Sequence, residues 1–325
     1  MASLETIAAN QPELIPEALS ALHRDGAVVI SGALAPETVN KLSRAIGVWH
    51  EKFLRGEIQN YSLDDETATD FPDAWAGAFT TPPASQTLRK WNAVQLEPSL
   101  LDLVDAAPHY ELMVALFGAQ LSVTKTQFIV VPSSCLETPY LHTDAGSMAD
   151  IVLSPDSAPL MCSIQFFLTP LKTENMGNFT CVPRSHRTAF PWPEDDEGQH
   201  SQIRIGKPPL GQDIDAARRF QVRVDSGDAV IFFHSLWHGV SSNNSATDRR
   251  SIIFSYAKSF VRPYDYVETP DVVRERGSER QRLLFSDLGS WSFRPGCNYH
   301  YSDRLRSVLQ TARGPAGANS DPTTR

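Results

Sequence analysis

Cysteine is scarce in this chain: 4 of 325 residues, at positions 135, 162, 181 and 297. No two of them are spaced Cys-x-x-Cys, so neither a zinc ribbon nor a secreted disulfide framework is indicated. Basic residues are outnumbered, with 29 Lys and Arg against 38 Asp and Glu and a net charge of −9. No dense basic stripe offsets this, which speaks against a nucleic acid or an anionic membrane as partner. No stretch nears the roughly 18 apolar residues that a membrane span needs. The first thirteen residues carry acids and no apolar run, unlike a signal peptide. These absences together predict a soluble, cytoplasmic protein. Glycine, at 18, is rarer than proline, at 23, which favours many turns over long helices.

What is present reads as globular: 41% hydrophobic and 21% charged residues exclude a disordered, collagen-like or coiled-coil chain. The length gives a soft prior of about two domains, yet an all-β barrel of this size forms one unit. Apolar spacing at Leu14, Ile15, Ala18, Leu19 and Leu22 predicts a helix over 12–23, stopped by Gly26. A β-branched strand at 27–30 follows, then a helix from Pro36 to about Phe53, with the proline near its first turn. A helix pair is predicted at about 98–117, ended by Gly118.

From Leu121 the texture changes to strands, at 121–131, 139–143, 160–168, 178–183, 220–224, 228–234 and 250–258. Short strands in series predict a sandwich or barrel rather than alternating βα units. Two polar, proline-bearing stretches, 60–90 and 187–218, read as lids or binding loops. They contain Tyr61, Phe71, Trp75, Phe79, Phe190 and Trp192, which would suit an apolar or ring-bearing ligand. Residues 311–325 have almost no large apolar side chains and are expected to be disordered.

The residues that suggest chemistry begin with His142-Thr-Asp144. In a strand, positions i and i+2 share a face, so both side chains can reach one divalent metal. Two histidines and one carboxylate form the facial triad of non-haem Fe(II) oxygenases, which leaves positions open for co-substrate and O₂. One such pair proves little, because the chain has a second, His23-Arg24-Asp25, at the end of a helix where i and i+2 do not share a face. The third ligand should come from a later strand, and the run from Asp228 to Gly239 offers His234 and His238. Eleven residues past His238 stands Arg249, opening a strand whose alternation sets Arg249, Ser251, Ile253 and Ser255 on one face. A guanidinium beside hydroxyls suits a buried carboxylate, which arginine grips through two nitrogens.

These pieces together resemble the phytanoyl-CoA dioxygenase (PhyH-like) family of Fe(II)/2-oxoglutarate oxygenases. Gly26-Ala-Val-Val-Ile-Ser-Gly-Ala-Leu and the Pro36-Glu37 helix look like its N-terminal strand and helix, and His142-Thr-Asp144 looks like its His-x-Asp. Gly177-Asn-Phe-Thr-Cys-Val-Pro183-Arg-Ser185-His186 is similar to a family segment that usually has glycine where Arg184 stands. Ser226-Gly-Asp228-Ala-Val-Ile-Phe-Phe, then His238-Gly-Val-Ser-Ser-Asn243 and Arg249, follow in the family's order. The resemblance covers roughly residues 15–260.

It implies a mainly β fold with flanking helices, built on a double-stranded β-helix (jelly-roll) core at about 119–260. One domain would span 1–310. It implies His142, Asp144 and His238 as iron ligands, with Fe(II), 2-oxoglutarate and O₂ as cofactor and co-substrates. Arg249 would clamp the distal carboxylate of 2-oxoglutarate, with Ser251, Lys125 and Gln127 as further co-substrate contacts. The reaction implied is oxidation of a C–H bond of a small organic molecule, with release of succinate and CO₂, in the manner of secondary metabolism. Related halogenases carry a small residue where Asp144 stands, so a carboxylate argues against halogenation. The alternatives are an acyl-CoA 2-hydroxylase, a catalytically silent jelly-roll binding protein, and a zinc hydrolase with the same three ligands. The net charge of −9 argues against a polyanionic acyl-CoA, and a hydrolase has no need of Arg249. A homodimer is compatible with the sequence.

Overall fold

The computed structural model describes residues 3–58, 87–118, 121–133, 135, 140–144, 159–187, 203–204, 218–263, 265–286 and 313–315. In chain order the strands are β1 (Thr6–Ala8), β2 (Ala27–Ser31), β3 (Leu88–Trp91), β4 (Ala106–Ala107), β5 (Leu121–Val131), β6 (Tyr140–Leu141) and β7 (Met161–Phe167). They continue as β8 (Phe179–Cys181), β9 (Ile203–Arg204), β10 (Phe220–Gln221), β11 (Ala229–Phe233), β12 (His238–Val240), β13 (Arg249–Lys258) and β14 (Arg313–Pro315). The longer helices are α1 (Leu14–Asp25), α2 (Pro36–Leu54) and α3 (His109–Phe117). None among the described residues is long and apolar enough to cross a membrane.

A seven-stranded sheet, ordered β1-β2-β11-β7-β13-β5-β3, faces a smaller one ordered β10-β8-β12. Alternation along the central strands divides their side chains between two cores. Phe128, Val130, Ile164, Phe166, Ile231, Ile252 and Phe254 point one way, and pack with Leu22, Leu42, Ile46 and Met113 of the helices. Phe167, Val230 and Phe232 point the other way, onto Phe179 and Cys181 of the small sheet. The central strands are therefore buried on both faces, which is why they read as near-continuous apolar runs. This mainly β, helix-flanked architecture is the one expected.

The signals for the first two helices hold. Gly26 ends α1 at φ 83°, with its N–H on the Leu22 carbonyl at 2.8 Å, a left-handed cap that glycine adopts without steric cost. Pro36 opens α2. The predicted helix pair at 98–117 is broken into short turns and α3. The expected strand at 139–143 ends at Leu141, so Asp144 lies beyond it. Of the stretch 60–90, Leu88–Trp91 is an edge strand on β5 rather than loop, and residues 60–86 lie outside the described residues. Of 187–218, Ile203–Arg204 pairs with β6, while 188–202 and 205–217 are outside them. In the tail, Arg313–Pro315 runs parallel to Ala106–Ala107, and the rest is outside the described residues. Arg184, in the glycine position of its segment, takes φ 69°. Its N–H meets the Asp25 carbonyl at 2.8 Å and its guanidinium lies 3.5 Å from the Asp25 carboxylate.

His109 shows how the helix-side core responds to acid. It is buried edge-on to Phe166, with ring centroids 5.0 Å apart and Nε2 2.5 Å from the Leu103 carbonyl. Burial pushes its pKa down from 6.5 to about 4. The folded chain keeps this ring neutral where the unfolded chain already takes up a proton. Its contribution is complete above about pH 6.5 and is lost as the pH falls toward 4. The full shift corresponds to about 3 kcal/mol. Urea unfolding at pH 7 and pH 4.5 should therefore show His109→Gln losing about 2 kcal/mol less than the wild type on acidification. Equal losses would show that another group carries the effect.

Candidate metal and co-substrate site

The site forms where β6 meets the small sheet. His142 and His238 face each other as an antiparallel bridge and exchange both backbone hydrogen bonds, each 2.8 Å. Residues so paired project their side chains to the same side. The two imidazole centroids are 4.4 Å apart. Asp144, two residues past the bridge, brings Oδ1 to 3.8 Å from His142 Nε2 and 3.9 Å from His238 Nε2. One donor atom from each of the three lies within 4.8 Å of the others. His238 Nδ1 is 2.9 Å from the Leu236 carbonyl, so that nitrogen carries the proton and Nε2 presents its lone pair. Its ring stacks on Phe179 at 5.4 Å and 16°.

The electrostatics suit metal ligation. Burial, and then the charge of His238, pushes His142 down to about 3, and burial also lowers His238. Both rings are neutral near pH 7. Burial alone would raise the Asp144 carboxyl, but Lys125, His238 and His142 outweigh it and hold it well below the usual carboxylate range. Two neutral imidazoles and one carboxylate are the donor set of a divalent first-row metal site, and each is already in its ligating state.

The inner face of the large sheet supplies the rest. β13 aligns Arg249 with Val131, and the turn before it is fastened by Asn243. Asn243 Nδ2 donates to the Val131, Pro132 and Thr247 carbonyls at 3.1, 3.1 and 2.9 Å. Gly177, at φ 75°, passes so close that a Cβ there would lie 3.3 Å from the Arg249 Cβ. Arg249 is fully buried over the Phe167 ring, and its three guanidinium nitrogens have no hydrogen-bond partner among the described residues. Burial pushes its pKa down, and the charge of Arg89 adds to this. A buried cation so placed calls for an anionic ligand.

Ser251, on the same face, accepts a hydrogen bond from Gln165 Nε2 at 3.0 Å. Gln127 is buried in register with Ile253. Lys125 lies near the metal group rather than beside Arg249, with Nζ 3.9 Å from Asp144 Oδ2.

The structure thus brings His142, Asp144 and His238 together and sets Arg249, Ser251, Gln127 and Lys125 on the adjoining sheet face. The other candidates fall outside that donor group. His234 is turned into the large sheet, with Nδ1 2.8 Å from the Met161 carbonyl. His23-Arg24-Asp25 is surface chemistry, with Arg24 paired to Glu5 and Asp25 at 2.7 Å each. Sequence reasoning did not single out Ser163, Gln165 or Arg89 as site residues. Alternation within Met161–Phe167 puts Ser163 and Gln165 on one face of an otherwise apolar strand, which is the signal that could have found them.

The phytanoyl-CoA dioxygenase family model matches residues 22–251, a span that holds the triad and Arg249. Several solved structures share the fold. HygX from Streptomyces hygroscopicus, crystallised with nickel and 2-oxoglutarate, superimposes with a TM-score of 0.52 at 17% identity, over 76% of this chain and 89% of that one. The α-ketoglutarate-dependent epimerase SnoN from nogalamycin biosynthesis gives 0.51 at 18%, over 76% and 84%. EctD from S. alaskensis, in its apo form, gives 0.54 at 16%, over 83% and 85%.

The two histidines can be told apart by metal titration. Cobalt(II) followed by visible absorption should bind the wild type and His234→Ala with dissociation constants within about threefold of one another. His238→Ala should lose at least about 100-fold, since one of three donors is gone. The opposite pattern would exchange their roles.

Proposed function

This chain belongs to the phytanoyl-CoA dioxygenase family of Fe(II)/2-oxoglutarate-dependent oxygenases, and we propose on that premise that it oxidises a C–H bond of a small organic molecule, with release of succinate and CO₂. In this reading His142, Asp144 and His238 hold the iron. Arg249 holds the C5 carboxylate of 2-oxoglutarate, with Ser251 and Gln127 lining the path between. Bound iron supplies the activation of O₂, coupled to decarboxylation of 2-oxoglutarate.

The observation that carries the reading is the combination of two features: a group of two neutral imidazoles and one carboxylate, and, on the inner face of the large sheet, a buried guanidinium whose nitrogens have no partner among the described residues. Arg249 can grip a carboxylate through two nitrogens in a setting that water screens little, which orients the co-substrate as well as binding it. The imidazoles stay neutral and available over the physiological range, and Asp144 stays anionic. A zinc hydrolase would use the triad but would leave a buried arginine without a task. The place of SnoN in nogalamycin biosynthesis accords with a secondary-metabolite substrate. The acidic balance, −9 overall, disfavours a polyanionic acyl-CoA.

Anaerobic protein with Fe(II) and 2-oxoglutarate should give a visible metal-to-ligand charge-transfer band. Titrated by that band, Arg249→Met should bind 2-oxoglutarate at least about 100-fold more weakly, as expected when one partner of a buried charge pair is removed. Its cobalt(II) affinity should stay near wild type. Wild-type 2-oxoglutarate affinity in Arg249→Met would overturn the clamp assignment, and absence of the band in iron-loaded wild type would overturn the co-substrate.

A further inference from the structure

The two oxygens of Asp144 have different neighbours. Oδ1 faces the Nε2 atoms of His142 and His238 at 3.8 and 3.9 Å. Oδ2 is the oxygen that meets the large sheet, 3.4 Å from Ser163 Oγ and 3.9 Å from Lys125 Nζ. Behind Ser163 stands Ser255, with the two Oγ atoms 2.8 Å apart and both residues fully buried. The register explains the grouping. Lys125 is directly opposite Ser255 across β5 and β13, and Ser255 is directly opposite Ser163 across β13 and β7. The three side chains form one row across the sheet, ending at the second oxygen of Asp144.

The direction of hydrogen bonding follows from charge. An ionised carboxylate only accepts, so Ser163 donates to Asp144, and Ser255 donates to Ser163. Such a chain polarises toward the anion, and the Lys125 ammonium acts on the same oxygen. The 3.4 Å contact is long for a hydroxyl on a carboxylate, so the hydroxyl steers Oδ2 rather than clamping it.

We propose that the Lys125–Ser255–Ser163 row positions Asp144 as a one-oxygen metal ligand, by engaging Oδ2 and leaving only Oδ1 for the metal. This rests on the iron and 2-oxoglutarate reading above. Aspartate readily binds a metal through both oxygens, and a carboxylate that did so here would occupy a position that 2-oxoglutarate or O₂ requires. The row thereby keeps the site open. It also changes the role of Lys125, from a co-substrate contact to a residue that acts through Asp144.

Three variants test this: Ser163→Ala, Ser255→Ala and Lys125→Met, the last keeping length and removing charge. The probes are cobalt(II) alone, and Fe(II) with 2-oxoglutarate under anaerobic conditions. Ser163→Ala and Lys125→Met should each weaken 2-oxoglutarate about tenfold, in the range known for residues behind metal ligands. They should also shift the charge-transfer band and alter the cobalt(II) visible spectrum. Ser255→Ala should have a smaller effect in the same direction, and none when added to Ser163→Ala. A merely structural role would lower thermal stability without moving either spectrum, and that result would overturn the proposal. So would wild-type spectra and affinities in both Ser163→Ala and Lys125→Met. A loss confined to Lys125→Met would return that residue to direct contact with 2-oxoglutarate and overturn the row. Should Ser163→Ala fail to fold, Lys125→Met and Ser255→Ala still decide the matter. Failure of the wild type itself to give either spectrum would overturn the underlying reading, which separates that outcome from a failure of the row.

Discussion

Two backbone hydrogen bonds between His142 and His238, 2.8 Å each, organise the centre of this molecule. They join the short β6 strand to the edge of the small sheet, and they set two imidazoles side by side without any side-chain contact being needed to do so. Neither strand could form alone, since β6 has two residues and β12 three, with a glycine in the middle. β12 is held from its other side by β8, through Cys181, Thr180 and Phe179. That pairing in turn depends on Phe179 and Cys181 being buried against Val230 and Phe232 of the large sheet. The donor group is thus the last layer of a stack whose lower layers are hydrophobic packing.

Charge is arranged around that stack in a way the overall balance conceals. The chain as a whole carries −9. Among the described residues, the inner face of the large sheet carries Arg249, Lys125 and Arg89, and Asp144 lies 3.9 Å from Lys125. The electrostatic influence of Arg89 on both His142 and Arg249 shows that the edge strand β3 contributes to the same field. In the proposed reading Arg249 on this face meets a dicarboxylate co-substrate, and the low dielectric of a buried face makes that pairing stronger than it would be in water.

Much of the fold was legible because its signals are local. Leucine and alanine spacing with Gly26 behind it is enough to define α1, and Pro36 is enough to start α2. The long apolar runs at 121–131 and 250–258 became β5 and β13 almost residue for residue. The elements that escaped are those stabilised by partners distant in sequence. β3 lies at the end of a polar stretch and exists because β5 offers it an edge. β1 needs β2, and β14 needs Ala106 and Ala107. No pattern within three or four residues announces such pairings.

The same division runs through the site. The spacing of His142, Asp144, His238 and Arg249, together with the glycine and serine–histidine segment, was sufficient to name the family, since metal chemistry demands those residue types in that order. The resemblance already named His238 rather than His234, and the tertiary structure gives the physical difference between the two. His234 continues the β11–β7 pairing and turns its ring to Met161, whereas His238 lies past the turn, opposite His142. Tertiary structure alone moved Lys125 to the second oxygen of Asp144 and brought Ser163 and Ser255 in beside it. The physical reason is register. Alternation in a sequence tells which residues of one strand share a face, but which of them become neighbours across three strands is set by pairing over separations of up to about 130 residues.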